Sequence, residues 1–199
     1  SALNSKYATS KLEGENKIKK NFSRAVILKP SIVYSVDDNF TTNFMTLLNR
    51  LPVMPLYYEG KTKFAPIHVS DLVEIIFNAV QGKITEQTLE CIGPEILSFK
   101  EIIFKLLKAI DKKRLLLPLP LTIAKIMAKF FEIMPNPLVT VDQINLLKHD
   151  NIPSQKYKTN FDLGYKANKI FDQEIIKYSY NWRAGGQYSK NNFSKTNKW

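Results

Sequence analysis

The 199-residue chain carries 44% hydrophobic residues and a formal charge of 29 − 18 = +11, which suits a globular unit of one domain, or one plus a lobe, and excludes a disordered polyelectrolyte. A single cysteine, Cys91, excludes an internal disulfide and fits a reducing, cytoplasmic setting. The basic residues are dispersed, so the charge has two readings: an anionic partner such as a nucleotide phosphate or an acidic membrane surface, or only the Lys-, Asn- and Ile-rich usage of an AT-rich coding sequence.

In chain order, Ser5 to Asn21 is rich in helix formers and mixed charges and predicts an exposed helix with a narrow apolar side. "RAVILKPSIVYS" follows as a nearly continuous apolar strand, the kind that parallel sheets cover on both faces. Nothing upstream of residue 22 supplies a parallel neighbour, and the first residue is Ser1, so an N-terminal portion of the folding unit is expected beyond these residues. Phe40 to Asn49 reads as a short helix. "PVMPLYYEGKTKFAPIHV" reads as two strands around a turn at Gly60, and Ser70 or Asp71 opens "LVEIIFNAVQG", which Gly82 ends.

"QTLECIG" reads as another strand, in which Cys91 has a small-apolar role. Ser98 caps "FKEIIFKLLKAI", and "RLLLPLP" is extended. Prolines 118, 120, 135 and 137 break the apolar region Leu115 to Val139, so it is not a membrane span. Its helix "LTIAKIMAKFFEIM" reads as core, with contact to a membrane surface or a partner helix as the alternative. Thr140 caps "TVDQINLLKHD"; beyond Ile152 the chain turns polar, with one late helix near Ile170 to Tyr180 and a flexible tail from Gly185. The alternation of strand and helix predicts an α/β architecture.

Tyr and Lys stand four residues apart at Tyr7/Lys11, Tyr57/Lys61 and Tyr165/Lys169. On a helix such a pair shares a face, and an ammonium near a phenol favours the phenolate, which gives a proton donor or acceptor near neutral pH. That argument fails for Tyr57/Lys61, which span the Gly60 turn, and Tyr165/Lys169 fall in a polar, late, exposed element. Spacing alone does not choose among them. His68 and His149 have no further ligand at metal spacing, Asp37/Asp38 read as solvated loop carboxylates, and Tyr57/Tyr58 as strand-edge packing. No G-x-G-x-x-G turn occurs among the seven glycines.

In order, "SAL…SKYATSKLEGE", "AVILKPSIVYS", "KFAPIHVSDLVEII", "GPEILSFKEII", "PLPLTIAKIMAKFFEIMP", "TVDQINLLKHDN" and "DLGY" resemble the C-terminal half of the extended or atypical short-chain dehydrogenase/reductase family, in the branch of the NAD(P)H-binding accessory subunit of respiratory complex I. The resemblance spans most of residues 1 to 165 and selects Tyr7/Lys11. It implies a Rossmann-type fold, with residues 1–35 completing the nucleotide-binding domain, 36–165 forming a C-terminal lobe, and 166–199 a late helix and polar tail. It implies Tyr7 as acid/base, Lys11 also as a ribose ligand, Pro30 and Ser31 lining the nicotinamide end, and Ser1, or Ser5, polarising a carbonyl.

The implied cofactor is NADP or NAD, the partners complex I subunits and the inner face of the respiratory membrane, not nucleic acid. That branch binds its nucleotide without turnover, so a structural or assembly role is expected ahead of an active reductase or nucleotide-sugar epimerase, or of an interaction module that no longer binds nucleotide. Asp71 is expected to be a helix cap. The chain departs from the family in lacking the glycine turn, in the short Ser1 to Tyr7 spacing, in Ser35-Val36 where relatives have Gly-Pro, and in having Ile32 and "VSDL" where epimerases have Asn and V-x-D-D.

Overall fold

A computed structural model describes residues 5–120 and 141–187. The elements in order are α1 (Lys6–Asn21), β1 (Ile27–Pro30), β2 (Val33–Tyr34), α2 (Thr41–Arg50), β3 (Val53–Tyr57), β4 (Lys63–Phe64), β5 (Ile67–His68), α3 (Val69–Val80), β6 (Thr88–Cys91), β7 (Leu97–Ser98), α4 (Phe99–Ala109), β8 (Leu115–Leu119), α5 (Val141–Leu146), β9 (Lys158–Thr159) and α6 (Phe171–Tyr178). The apolar helix expected after Pro120, the Thr140 cap, Ser1 and the last twelve residues lie outside the described residues.

β6 is the hub. All four of its residues are buried, and it pairs in parallel with β1 on one side, Leu28 opposite Leu89, and with β9 on the other, Glu90 opposite Thr159. Leu28 and Leu89 share a core cluster with Ile75 of α3, while Lys29 on the opposite face pairs with Glu15 of α1 at 2.9 Å. The sheet is therefore the middle of three layers, with α1 on one face and α3 on the other.

The strand expected over "RAVILKPSIVYS" divides. Ser31 leaves the ladder, its Oγ donating to Asn151 O and accepting from Ala65 N; β2 beyond it pairs with β5 in a separate parallel pair. The segment around Gly60 is not a hairpin either. β3 pairs in parallel with β8, 62 residues away, and between β3 and β4 the chain makes a 3-10 turn in which Tyr58, Glu59 and Gly60 all take positive φ. A side chain at Gly60 would also meet Lys100 Cβ at 2.8 Å.

The larger core joins α2, α4 and α6 through Met45, Leu48, Ile102, Leu106, Phe171 and Ile175. The late helix is thus a core element: Tyr34 donates from its hydroxyl to Lys169 O and packs on Phe171, and Lys169 N donates to Asp71. Helix starts are capped by side chains. Ser98 and Glu101 form a reciprocal capping box on α4. Asp38, expected in solvent, instead accepts from the amides of Phe40 and Thr41 and so serves the start of α2. His68, not Ser70 or Asp71, caps α3, its Nδ1 accepting from Ser70 N; burial lowers the pKa of the ring and keeps that lone pair available.

Burial pushes the pKa of Glu174 up, but the hydrogen bond from Lys177 and the charges of Lys177 and Lys169 outweigh it, and the net shift is downward. A folded pKa below the unfolded one gives stability that is present above about pH 4.5 and lost as pH falls through the folded value. Urea unfolding should therefore show a penalty for Glu174→Gln at pH 7 that shrinks at pH 3. A Cβ at Gly93 would lie 1.7 Å from Pro66 O, against backbone that cannot yield. Gly93→Ala should cost about 3 kcal/mol or more, read by the same method.

Candidate functional site

α1 begins at Ser5, which is 1% exposed; its Oγ accepts from Ala8 N and donates to Asp142. The Asp142 carboxylate of α5 also accepts from Lys6 N at 3.0 Å and Tyr7 N at 3.4 Å. A carboxylate at a helix N-terminus answers both its free amides and its partial positive charge, so Asp142 pins the start of α1 to a segment 135 residues away. Sequence reasoning missed this residue. It reads as a first-turn acid of its own helix, and nothing local reports a partner so distant.

Lys29 and Glu15 fix the height of α1 on the sheet. At a rise of about 1.5 Å per residue, Lys11 stands roughly 6 Å and Tyr7 roughly 12 Å beyond Glu15 toward the helix start. Glu15 meets Lys29 while Lys19, one turn later, reaches Tyr157 before β9, so α1 runs against the strand direction and its start lies toward the Pro30 end of β1. Tyr7 is 58% exposed, and the Lys11 ammonium lies over its ring, 5.5 Å from the centre. Pro30 is exposed at the strand end. Ser31 is buried, with its hydroxyl committed to Asn151 and Ala65, so it braces the chain where β1 ends.

The other Tyr/Lys pairs do not form couples. Tyr57 is buried in β3 while Lys61 pairs with Glu59, and Lys169 lies in the junction with Asp71, Tyr34 and Glu174. Asp71 is buried and ties Lys169 N to the start of α3. Cys91 is fully buried, its thiol pushed up to about 12 by desolvation, as its small-apolar reading requires. A second basic feature was not foreseen: the ammonium groups of Lys19, Lys29 and Lys156 lie 5.4 to 5.7 Å from the centre of the Tyr157 ring.

No family model matches the chain. It is 25% identical over 193 residues, 92% of its length, to the mitochondrial NADH dehydrogenase (ubiquinone) 1 alpha subcomplex subunit 9 of Arabidopsis thaliana, of which it covers 48%. The fold is similar to that of UDP-glucuronic acid 4-epimerase of Bacillus cereus, solved with UDP-glucuronic acid and NAD, at a TM-score of 0.53 and 18% identity over 83% of this chain and 48% of that one. It is also similar to UDP-glucose 4-epimerase of Thermus thermophilus, solved with NAD, at a TM-score of 0.55 and 14% identity over 85% and 50% of the two chains. The chain has the Rossmann-type fold of the extended short-chain dehydrogenase/reductases and resembles a complex I accessory subunit.

It spans about half the length of the curated relatives it matches. Among the described residues, no helix is long and apolar enough to cross a membrane. Asp142 holds the start of α1. Asp142→Ala should lower stability by about 1–2 kcal/mol and speed hydrogen exchange at the amides of Lys6 and Tyr7 more than at the buried amide of Leu106; equal acceleration at all three would contradict a local pin.

Proposed function

We propose that the chain is part of an NAD(P)H-binding protein of the short-chain dehydrogenase type that serves complex I, or its assembly, with little or no turnover. The observation that supports this most is the Lys11 ammonium over the Tyr7 ring at the start of a helix pinned by Asp142. Lys11 forms no salt bridge among the described residues, and its ammonium is free to donate to the hydroxyls of a ribose. Tyr7 offers a phenol beside it. Pro30, exposed at the end of β1, would line the nicotinamide end, with Ser31 buried behind it.

The residues present fit the nicotinamide and ribose end of a dinucleotide and not its pyrophosphate, since no glycine turn leads a helix here. A bound nicotinamide would supply hydride chemistry. This chain's own residues hold and orient: Lys11 bonds the ribose and places its positive charge beside the Tyr7 phenol, and Tyr7 is the group through which a proton would pass if any substrate were turned over. Domain roles follow the same division, with residues 1–35 belonging to the nucleotide half, 36–165 to the lobe, and 166–199 beginning with the helix that closes the core.

The fold likeness to NAD-bound nucleotide-sugar epimerases favours a second reading, an active enzyme with Tyr7 as acid/base. Fluorescence titration of the natural protein with NADH and NADPH separates the readings. Saturable binding that Lys11→Ala weakens about tenfold, or 1.4 kcal/mol, with Tyr7→Phe within about twofold and no nucleotide-sugar turnover, is the expected result. Turnover abolished by Tyr7→Phe would establish the second reading, and absence of binding would contradict both.

A further inference from the structure

Tyr157 directly precedes β9, at the amino end of that strand. Its ring meets Lys29 of β1 and Lys19 of α1, which places it between the sheet and α1. Lys19 lies eight residues beyond Lys11, about 12 Å along the helix. The group around Tyr157 is therefore separate from the Tyr7 and Lys11 pair, and it lies toward β9.

The ammonium groups of Lys19, Lys29 and Lys156 stand 5.7, 5.4 and 5.4 Å from the centre of the one ring. Lys29 has a counter-charge in Glu15, and the neighbouring Lys158 is taken up by Glu86 at 2.8 Å. Lys19 and Lys156 form no salt bridge among the described residues. Glu90, in register with Lys29, is buried and committed to Ser154 N and Oγ. Even with both carboxylates counted, positive charge is in surplus here. The ring attracts each ammonium, but like charges gathered on it repel one another, and an anion would offset that repulsion. The arrangement is also built in advance. Ser154 Oγ donates to Glu90 while accepting from Lys156 N, so the backbone that carries Lys156 and Tyr157 is tied to β6. Lys19, Lys29 and Tyr157 are all partly buried.

We infer that Lys19, Lys29, Lys156 and Tyr157 form a binding site for a phosphate group with two negative charges, as inorganic phosphate or a phosphate monoester. All three cations are lysines, compact point charges that suit phosphate, whereas a planar carboxylate is matched best by the arginine fork. Each ammonium has three N–H donors for separate phosphate oxygens, and Tyr157 gathers them before the anion arrives. A phosphate diester carries one charge, so the pyrophosphate of a dinucleotide is the poorer fit. The site stands apart from the nucleotide reading above. A small phosphorylated molecule and the monoester headgroup of a lipid share the chemistry it recognises.

The test is an amide chemical-shift titration of the isotope-labelled natural protein with inorganic phosphate at constant ionic strength, without nucleotide. Saturable shifts are expected at Lys156, Tyr157 and Lys158, with residues 6–11 unmoved. Lys19→Gln and Lys156→Gln should each weaken binding about fivefold, and Lys113→Gln, which removes the same charge elsewhere, should leave it unchanged. Tyr157→Phe keeps the ring and should bind as well as the natural protein, whereas Tyr157→Leu should bind more weakly. Phosphatidylcholine vesicles containing phosphatidic acid form the second arm: a response to free phosphate assigns the site to a soluble ligand, and a response to these vesicles alone assigns it to a headgroup. Shifts that sodium chloride reproduces, that survive both lysine variants or that fall at residues 6–11 instead would overturn the inference, as would no response in either arm. NADH binding is read separately at Lys11, so either reading can fail without the other.

Discussion

The pairing of β1 with β6 is the constraint on which the remaining structure depends. β6 is four residues long, wholly buried, and joined to strands from both ends of the chain, so the sheet forms only when residues 27–30, 88–91 and 158–159 meet. Loop closure across such separations is costly, and the apolar contact of Leu28 and Leu89 with α3, together with the core of α2, α4 and α6, offsets it. Once β1 is placed, Lys29 and Glu15 set the height of α1. The position of Tyr7 and Lys11 follows from that height.

α1 is held in an unusual way for a helix of a three-layer fold. It buries no residue, and the sheet face beneath it carries Lys29 and Glu90, with Tyr157 alongside. Glu90 is buried and accepts from Ser154 N and Oγ. Charge and hydrogen bonding, through Lys29–Glu15 and Asp142, therefore fix a helix whose apolar residues remain exposed. Such contacts specify position at modest net stability.

Much of the fold was legible because its signals are local. Ser98 announced α4, Gly82 closed α3, and the apolar runs marked β1 and β6. What was not legible depends on distant partners. The parallel union of β3 with β8 leaves no mark in "PVMPLYY", which reads equally well as half of a hairpin. Asp38 looked solvated because its acceptors serve amides two to four residues ahead, a capping role that an Asp-Asp loop does not advertise. The late helix looked peripheral because its neighbours are polar, yet Phe171 and Ile175 at spacing four turn one face into the core. For the site, resemblance singled out Tyr7 and Lys11; the Lys11 ammonium over the Tyr7 ring and the Asp142 pin came only from the structure.

The most direct test of a half-site at the start of α1 is an amide chemical-shift map of the isotope-labelled protein titrated with NADH. The account predicts that the perturbed amides cluster at residues 6–11 and 31–35, around the carboxyl end of β1. Perturbation confined to Lys19, Lys29 and residues 156–158 would mean that the nucleotide is drawn only to the lysines around Tyr157, and would contradict the account.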